Sequence, residues 1–259
     1  MKVPHFVRGM FRPLGVALAL GLSVSLKSPA SSMTVSPLLV ELSTSGPGSR
    51  TSLRITNDGT ARLPIEIKVS RLEVGEHGES TTTPVTDDFL IIPSHALIPP
   101  GGSQAVRVQW VGRGDMQRSQ SYLFKVSQLA VKFPETKSGV QFTFHFTVIV
   151  NVAPPGAVSS LVLKDVGIET GKDGTRHPAI TVVNKGNRHA SLADAALVLT
   201  GGGWKTAISG EAMRQMVGVG LIQPGKERRF VLKKQILPAE IKGVTGILDY
   251  QPTETGAIE

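Results

Sequence analysis

Five histidines, His77, His95, His145, His177 and His189, are the side chains beyond residue 30 best suited to proton transfer or metal binding. No two stand at the i, i+2 or i, i+4 spacing that puts two ligands on one face of a strand or helix, so they read as surface or sheet histidines. The chain has no cysteine, which removes thiol catalysis and thiolate metal sites. It also lacks a G-x-S-x-G elbow, a phosphate-cradling P-loop and a G-x-G-x-x-G run after a strand. Asp87, Asp88, Glu66 and Glu73 fall in loops or on exposed strand faces, and a carboxylate pair assembled from distant positions stays open. Arg113-Gly114-Asp115 is a tripeptide that binds integrins in a suitable loop but arises often by chance. The expectation is therefore no catalytic residue, no metal and no cofactor.

What remains is the chemistry of an extended backbone. In the stretch from Val140 to Val152, Val140, Phe142, Phe144, Phe146, Val148, Val150 and Val152 fall on one face. Gln141, Thr143, His145, Thr147 and Asn151 fall on the other, with Ile149 as the exception. A period of two marks a strand with one apolar side, and about thirteen residues is long against the usual five or six. Two readings follow: a long core strand of a β-sandwich, or a strand whose outer half offers backbone and side chains to another protein.

The elements that would carry this strand begin after a leader. Lys2, Arg8 and Arg12 precede an apolar run from Leu14 to Leu26, and Ser28-Pro29-Ala30 supplies small residues for cleavage, so residues 1–30 are predicted to be a secretory signal peptide. The run is about thirteen residues where a membrane span needs about twenty, and no later stretch comes close, so no membrane insertion is expected after cleavage. The leader holds four of the 28 basic residues and none of the acids, which lowers the net charge from +8 to about +4 and weakens any nucleic-acid role.

From Met33 onward, short alternating segments are separated by turn residues such as Asn57-Asp58-Gly59, Pro99-Pro100-Gly101 and Asn184-Lys185-Gly186. Seven strands in about 120 residues indicate a sandwich. Ala153-Pro154-Pro155-Gly156 ends the long strand, since proline cannot donate to a ladder. The expected organisation is all-β: one sandwich domain over 33–153 and a second over 156–259. Residues 75–88 read as a polar loop, and Glu211 to Met216 as one helical turn.

In this order the chain resembles the periplasmic pilus-assembly chaperones of bacterial chaperone/usher systems. The carriers are Val35-Ser36-Pro37, Leu53 to Gly59 with Pro64, Ile98 to Gly101 before Val106-Arg107-Val108, the long strand into Val152 to Gly156, Val182 to Asn187, and Leu221 to Gly225. The resemblance implies two immunoglobulin-like domains set as an L or boomerang, a periplasmic location and no enzymatic activity. It implies pilus or fimbrial subunits and an outer-membrane usher as partners. It also implies donation of the last strand of the first domain to a subunit, with Val140, Phe142, Phe144, Phe146 and Val148 as the subunit-binding side chains.

Familiar members of that family hold the subunit's terminal carboxylate with an Arg in the first strand and a Lys late in the long one. By position these fall on Leu39 and Ile149, which cannot pair with a carboxylate. The acid and the basic residue of the usual inter-domain ion pair fall on Gln120 and Ala153. The chain is thus similar to a divergent branch, such as the spore-coat-U-like or archaic systems. Arg107 and Lys125 are the candidate substitutes for the anchor, each also readable as part of a solvated strand face. The competing expectations are a self-assembling structural or adhesive surface protein and a secreted hydrolase on a β-sandwich.

Overall fold

The computed structural model describes residues 33–129 and 143–252. The predicted leader and two of the predicted subunit-binding residues, Val140 and Phe142, lie outside the described residues.

Alternating side chains build the first half from ten strands: β1 (Met33–Ser36), β2 (Leu39–Ser43), β3 (Arg50–Asn57), β4 (Leu63–Val74), β5 (Ser80–Pro84), β6 (Phe89–Ile92), β7 (His95–Ile98), β8 (Ser103–Trp110), β9 (Gln120–Gln128) and β10 (His145–Ala153). One sheet has the order β1-β3-β8-β6. The facing sheet runs β2-β10-β9-β4-β5, with β7 also on β4. Every second residue of each inner face enters one core, including Leu53, Ile55, Val106, Val108, Val126, Val148 and Val150. Phe89 anchors its end, meeting Trp110, Tyr122 and Phe124 edge-on at 5.1, 4.8 and 4.9 Å between ring centres. Such T-shaped contacts set the positive ring edge against the negative face.

The second half comprises β11 (Leu161–Thr170), β12 (Arg176–Asn184), β13 (Ala190–Ser191), β14 (Ala195–Gly201), β15 (Trp204–Ile208), α1 (Gly210–Val217), β16 (Leu221–Ile222), β17 (Glu227–Val231) and β18 (Thr245–Tyr250). Its sheets are β11-β12-β17, β13-β16 and β15-β14-β18. A separate core forms around Ile180, Val182, Leu197, Leu199, Ile222 and Leu232. Among the described residues, no strand of one half pairs with a strand of the other, so the all-β expectation of two immunoglobulin-like sandwiches is met. The expected single helical turn is two turns, α1, closed by Gly218 at φ 62° and anchored by the buried Met213. The expected polar loop contains β5, whose five residues are all exposed and which is held by pairing to β4 rather than by burial.

The same device closes a turn in each half. The buried Asn57 donates from Nδ2 to the carbonyls of Ala61, Ile98 and Pro99 at 2.8, 3.0 and 3.1 Å, and its Oδ1 accepts the Gly59 amide at 3.0 Å. Asn184 donates to the carbonyls of Arg188 and Ile222 and accepts the amides of Ser160 and Gly186. In both places one side-chain amide satisfies backbone groups that a turn leaves without strand partners.

β4 changes face along its length, and this joins the halves. Ile65 and Ile67 point into the first core, whereas Leu72 and Val74 point outward and pack on Leu221 of β16. Gln223 extends the contact as a strand would: Val74 N donates to its Oε1 at 2.9 Å, and its Nε2 donates to Leu72 O at 2.7 Å.

Candidate functional site

β10 is paired on both sides over only part of its length. Ile149 to Val152 lie between β9, antiparallel, and β2, parallel. His145 to Val148 pair with β9 alone among the described residues. The ladder fixes which groups are open: Gln128 N donates to Phe144 O at 3.0 Å, so even-numbered residues bond toward β9, while Ile149 N donates to Leu38 O at 2.9 Å, so odd-numbered ones point the other way. The N–H and C=O of Thr147 therefore face the side where β2 has ended. An edge of this kind is a template for another strand.

The apolar face of β10 leaves the sandwich at the same place. Val148 is 0% exposed, Phe146 is half-buried against the core, and Phe144 is 36% exposed. The assignment of Val148 to a partner is thereby corrected: it lies between core neighbours Phe124 and Val150 and has no surface to give. Phe144 and Phe146 are the described members of the predicted set that retain surface.

Arg107 and Lys125 are not brought together. Arg107 alternates with the buried Val106 and Val108 on β8, so it leaves the sandwich through the β1-β3-β8-β6 sheet. Lys125 alternates with the buried Phe124 and Val126 on β9, leaves through the opposite sheet, and stands across from Thr147 of the open edge. It is exposed beside Lys68 of β4, which is taken by Glu66 at 2.9 Å. Leu39 and Ile149 are register partners between β2 and β10. Leu39 is 45% exposed, and Ile149 packs with Leu123 against Leu72, Val74 and Leu221.

The seam between the halves holds a polar chain that sequence reading missed. Glu41 of β2 accepts from Asn151 Nδ2 at 2.9 Å through Oε1, and from Arg188 Nη2 at 2.9 Å and His189 Nε2 at 2.7 Å through Oε2. Asn151 in turn accepts the Ser121 hydroxyl at 2.7 Å. Burial alone would raise the Glu41 pKa, but the hydrogen bonds of His189 and Asn151 and the charges of His189 and Arg188 outweigh it and hold the carboxyl below its ordinary value. Glu41 of the first half and Arg188 of the second thus form an ion pair across the seam. His189, expected as a surface or sheet histidine, is buried. No local signal marks it, because Glu41 and His189 meet only through the packing of the two halves.

Ser119, His189 and Glu41 stand in series, the order of a nucleophilic triad. The geometry is that of a staple: Ser119 Oγ accepts the backbone N–H of His189 at 2.6 Å as well as lying 3.1 Å from Nδ1, and Arg188 shares the carboxylate oxygen that faces the imidazole. Arg113 and Asp115, the charged ends of the tripeptide, clasp each other through two bonds of 3.0 Å. Nearby, a groove of about 510 Å³ at the seam is lined by Arg71, paired with Asp88 at 3.5 Å, and by Lys226, paired with Glu73 at 3.7 Å. Among the described residues, no group of three or more His, Asp or Glu could hold a metal ion, and no helix is long and apolar enough to cross a membrane.

No protein-family model matches the chain, and no curated protein matches it in sequence. Solved structures do match in fold. A chaperone–tip adhesin complex of CFA/I fimbriae biogenesis superposes with a TM-score of 0.51 at 13% identity, covering 86% of this chain and 100% of that one. The class 5 fimbriae chaperone CfaA gives 0.51 at 12% identity over 85% and 100%. The chaperone–tip subunit pre-assembly complex of archaic Csu pili from Acinetobacter baumannii gives 0.52 at 14% identity over 83% and 92%. At these identities the likeness establishes a shared fold.

Proposed function

We propose that this protein is a periplasmic, non-enzymatic chaperone of a divergent chaperone/usher branch, which holds secreted pilus or fimbrial subunits by lending them β10 and passes them to an outer-membrane usher. The observation that carries the reading is the coincidence on β10 of an open backbone edge, His145 to Val148, with an apolar face that emerges at Phe146 and Phe144. The complexes of similar fold, one with a tip adhesin and one with a tip subunit, support it. In this reading residues 1–30 are the cleaved export signal, residues 33–153 the strand-lending domain and residues 156–259 its companion.

Phe144 and Phe146, with Val140 and Phe142 before them, fill a subunit that lacks a strand. Full burial of such a side chain contributes roughly 1.5 to 3 kcal/mol, and each added ladder bond about 0.5 to 1.5 kcal/mol, before the cost of ordering the partner is subtracted. Lys125, which stands across from Thr147 on β9, is in this reading the cation that takes the subunit's terminal carboxylate.

Co-expression with secreted β-subunits encoded in the neighbouring operon tests the reading. A one-to-one complex is expected, and Phe144→Asp with Phe146→Asp should abolish it while the free protein keeps its circular dichroism. A double variant that still shields its subunit from proteolysis would exclude strand lending here. Light scattering separates the alternative of a self-assembling or adhesive surface protein, which would pair its own open edges without any subunit.

A further inference from the structure

Arg107 belongs to a cluster on the sheet opposite Lys125. On the outer face of the β1-β3-β8-β6 sheet, Ser52 stands opposite Arg107, Arg50 opposite Gln109 and Arg54 opposite Ala105. Arg107 is therefore the diagonal neighbour of both Arg50 and Arg54, within about 7 to 8 Å between Cα positions. All three are exposed, none has an ion pair among the described residues, and the one side-chain hydrogen bond recorded for them is Arg54 Nη1 to Ser103 Oγ at 3.2 Å. No outward position on these four strands carries an acid. Like charges set across neighbouring strands oppose folding, so the cluster has no structural gain within the chain itself.

Apolar surface adjoins it. Leu90 and Ile92 of the edge strand β6 point to the same side, 46% and 54% exposed, and Ile92 stands opposite Arg107. Three guanidinium groups without an ion pair among the described residues, beside two aliphatic side chains, complement carboxylates interleaved with apolar residues. A single-stranded nucleic acid would call for aromatic stacking groups, and this face has none. We propose that the outer face of this sheet docks an acidic, apolar-containing segment of a partner protein, with Arg50, Arg54 and Arg107 taking its carboxylates and Leu90 and Ile92 its aliphatic side chains. The surface lies on the sheet opposite β10 and does not depend on strand lending.

The test is fluorescence anisotropy of the exported chain with a short labelled peptide alternating Glu and Leu. Parallel arms use the same peptide with Gln in place of Glu, and vesicles of phosphatidylglycerol and phosphatidylcholine. The parent should bind the Glu peptide, more weakly as salt rises, and should not bind the Gln peptide. Arg50→Ser, Arg54→Ser and Arg107→Ser combined should weaken binding about tenfold or more, since each exposed pair adds a little, without lowering the melting temperature. Leu90→Ser with Ile92→Ser should weaken binding and leave its salt dependence in place. No binding by the parent, equal binding by either variant, or preference for the anionic vesicles over the Glu peptide would overturn the proposal.

Discussion

Leu39 and Ile149 stand directly opposite each other where the parallel pairing of β2 and β10 begins. The resemblance to pilus chaperones puts a cationic pair at these positions. Here Ile149 instead joins Leu72, Val74, Leu123 and Leu221 in the apolar contact between the halves. Ile149→Ala should lower stability by about 1 to 2 kcal/mol, the cost of removing a half-buried aliphatic chain. Ile149→Lys should cost more than Ile149→Ala, because it sets a charge against that cluster. Denaturant melts of the two variants check the order, and a lysine tolerated better than alanine would show that the position is solvated.

The seam should make stability depend on pH. The Glu41 carboxyl is held below its ordinary value of 4.5 in the folded protein, so its contribution is complete above that value and is lost as pH falls through the lower folded value. Melting temperatures between about pH 3 and about pH 7 should fall on the acid side, and Glu41→Gln should flatten that slope. At neutral pH Glu41→Gln should cost about 1 to 3 kcal/mol, less than a fully buried pair because the carboxyl is partly exposed.

Asn57 and Asn184 should prove equivalent although they share no contacts. Replacing either by Asp keeps the shape but removes the Nδ2 donor that serves two or three carbonyls. Each substitution should cost about 2 to 4 kcal/mol, because buried acceptors are left unsatisfied beside a new negative charge. Chemical denaturation reads the loss, and a cost below about 1 kcal/mol would mean that water replaces the amide.

The sandwiches and the end of β10 at Ala153 were legible because alternation, turn residues and Pro154-Pro155 are local signals. The division of β10 was not. Val148 and Phe144 carry the same pattern, and only the end of the sandwich decides that the first is core and the second surface. β5 escaped because its polar residues gain order from β4 alone. Glu41 looks like any acid on a solvated strand face until His189 and Arg188 arrive from the other half. Arg50, Arg54 and Arg107 likewise become one cluster only through the register of β3 on β8.

The central claim is that the edge of β10 beside Thr147 receives a partner strand, and amide hydrogen exchange at Thr147 tests it most directly. In the free protein this amide should exchange quickly while those of Phe146 and Val148, bonded toward β9, stay protected. In the complex with a co-purified subunit, Thr147 should become protected as its neighbours already are. An amide at Thr147 that exchanges equally fast with and without the subunit would contradict the account.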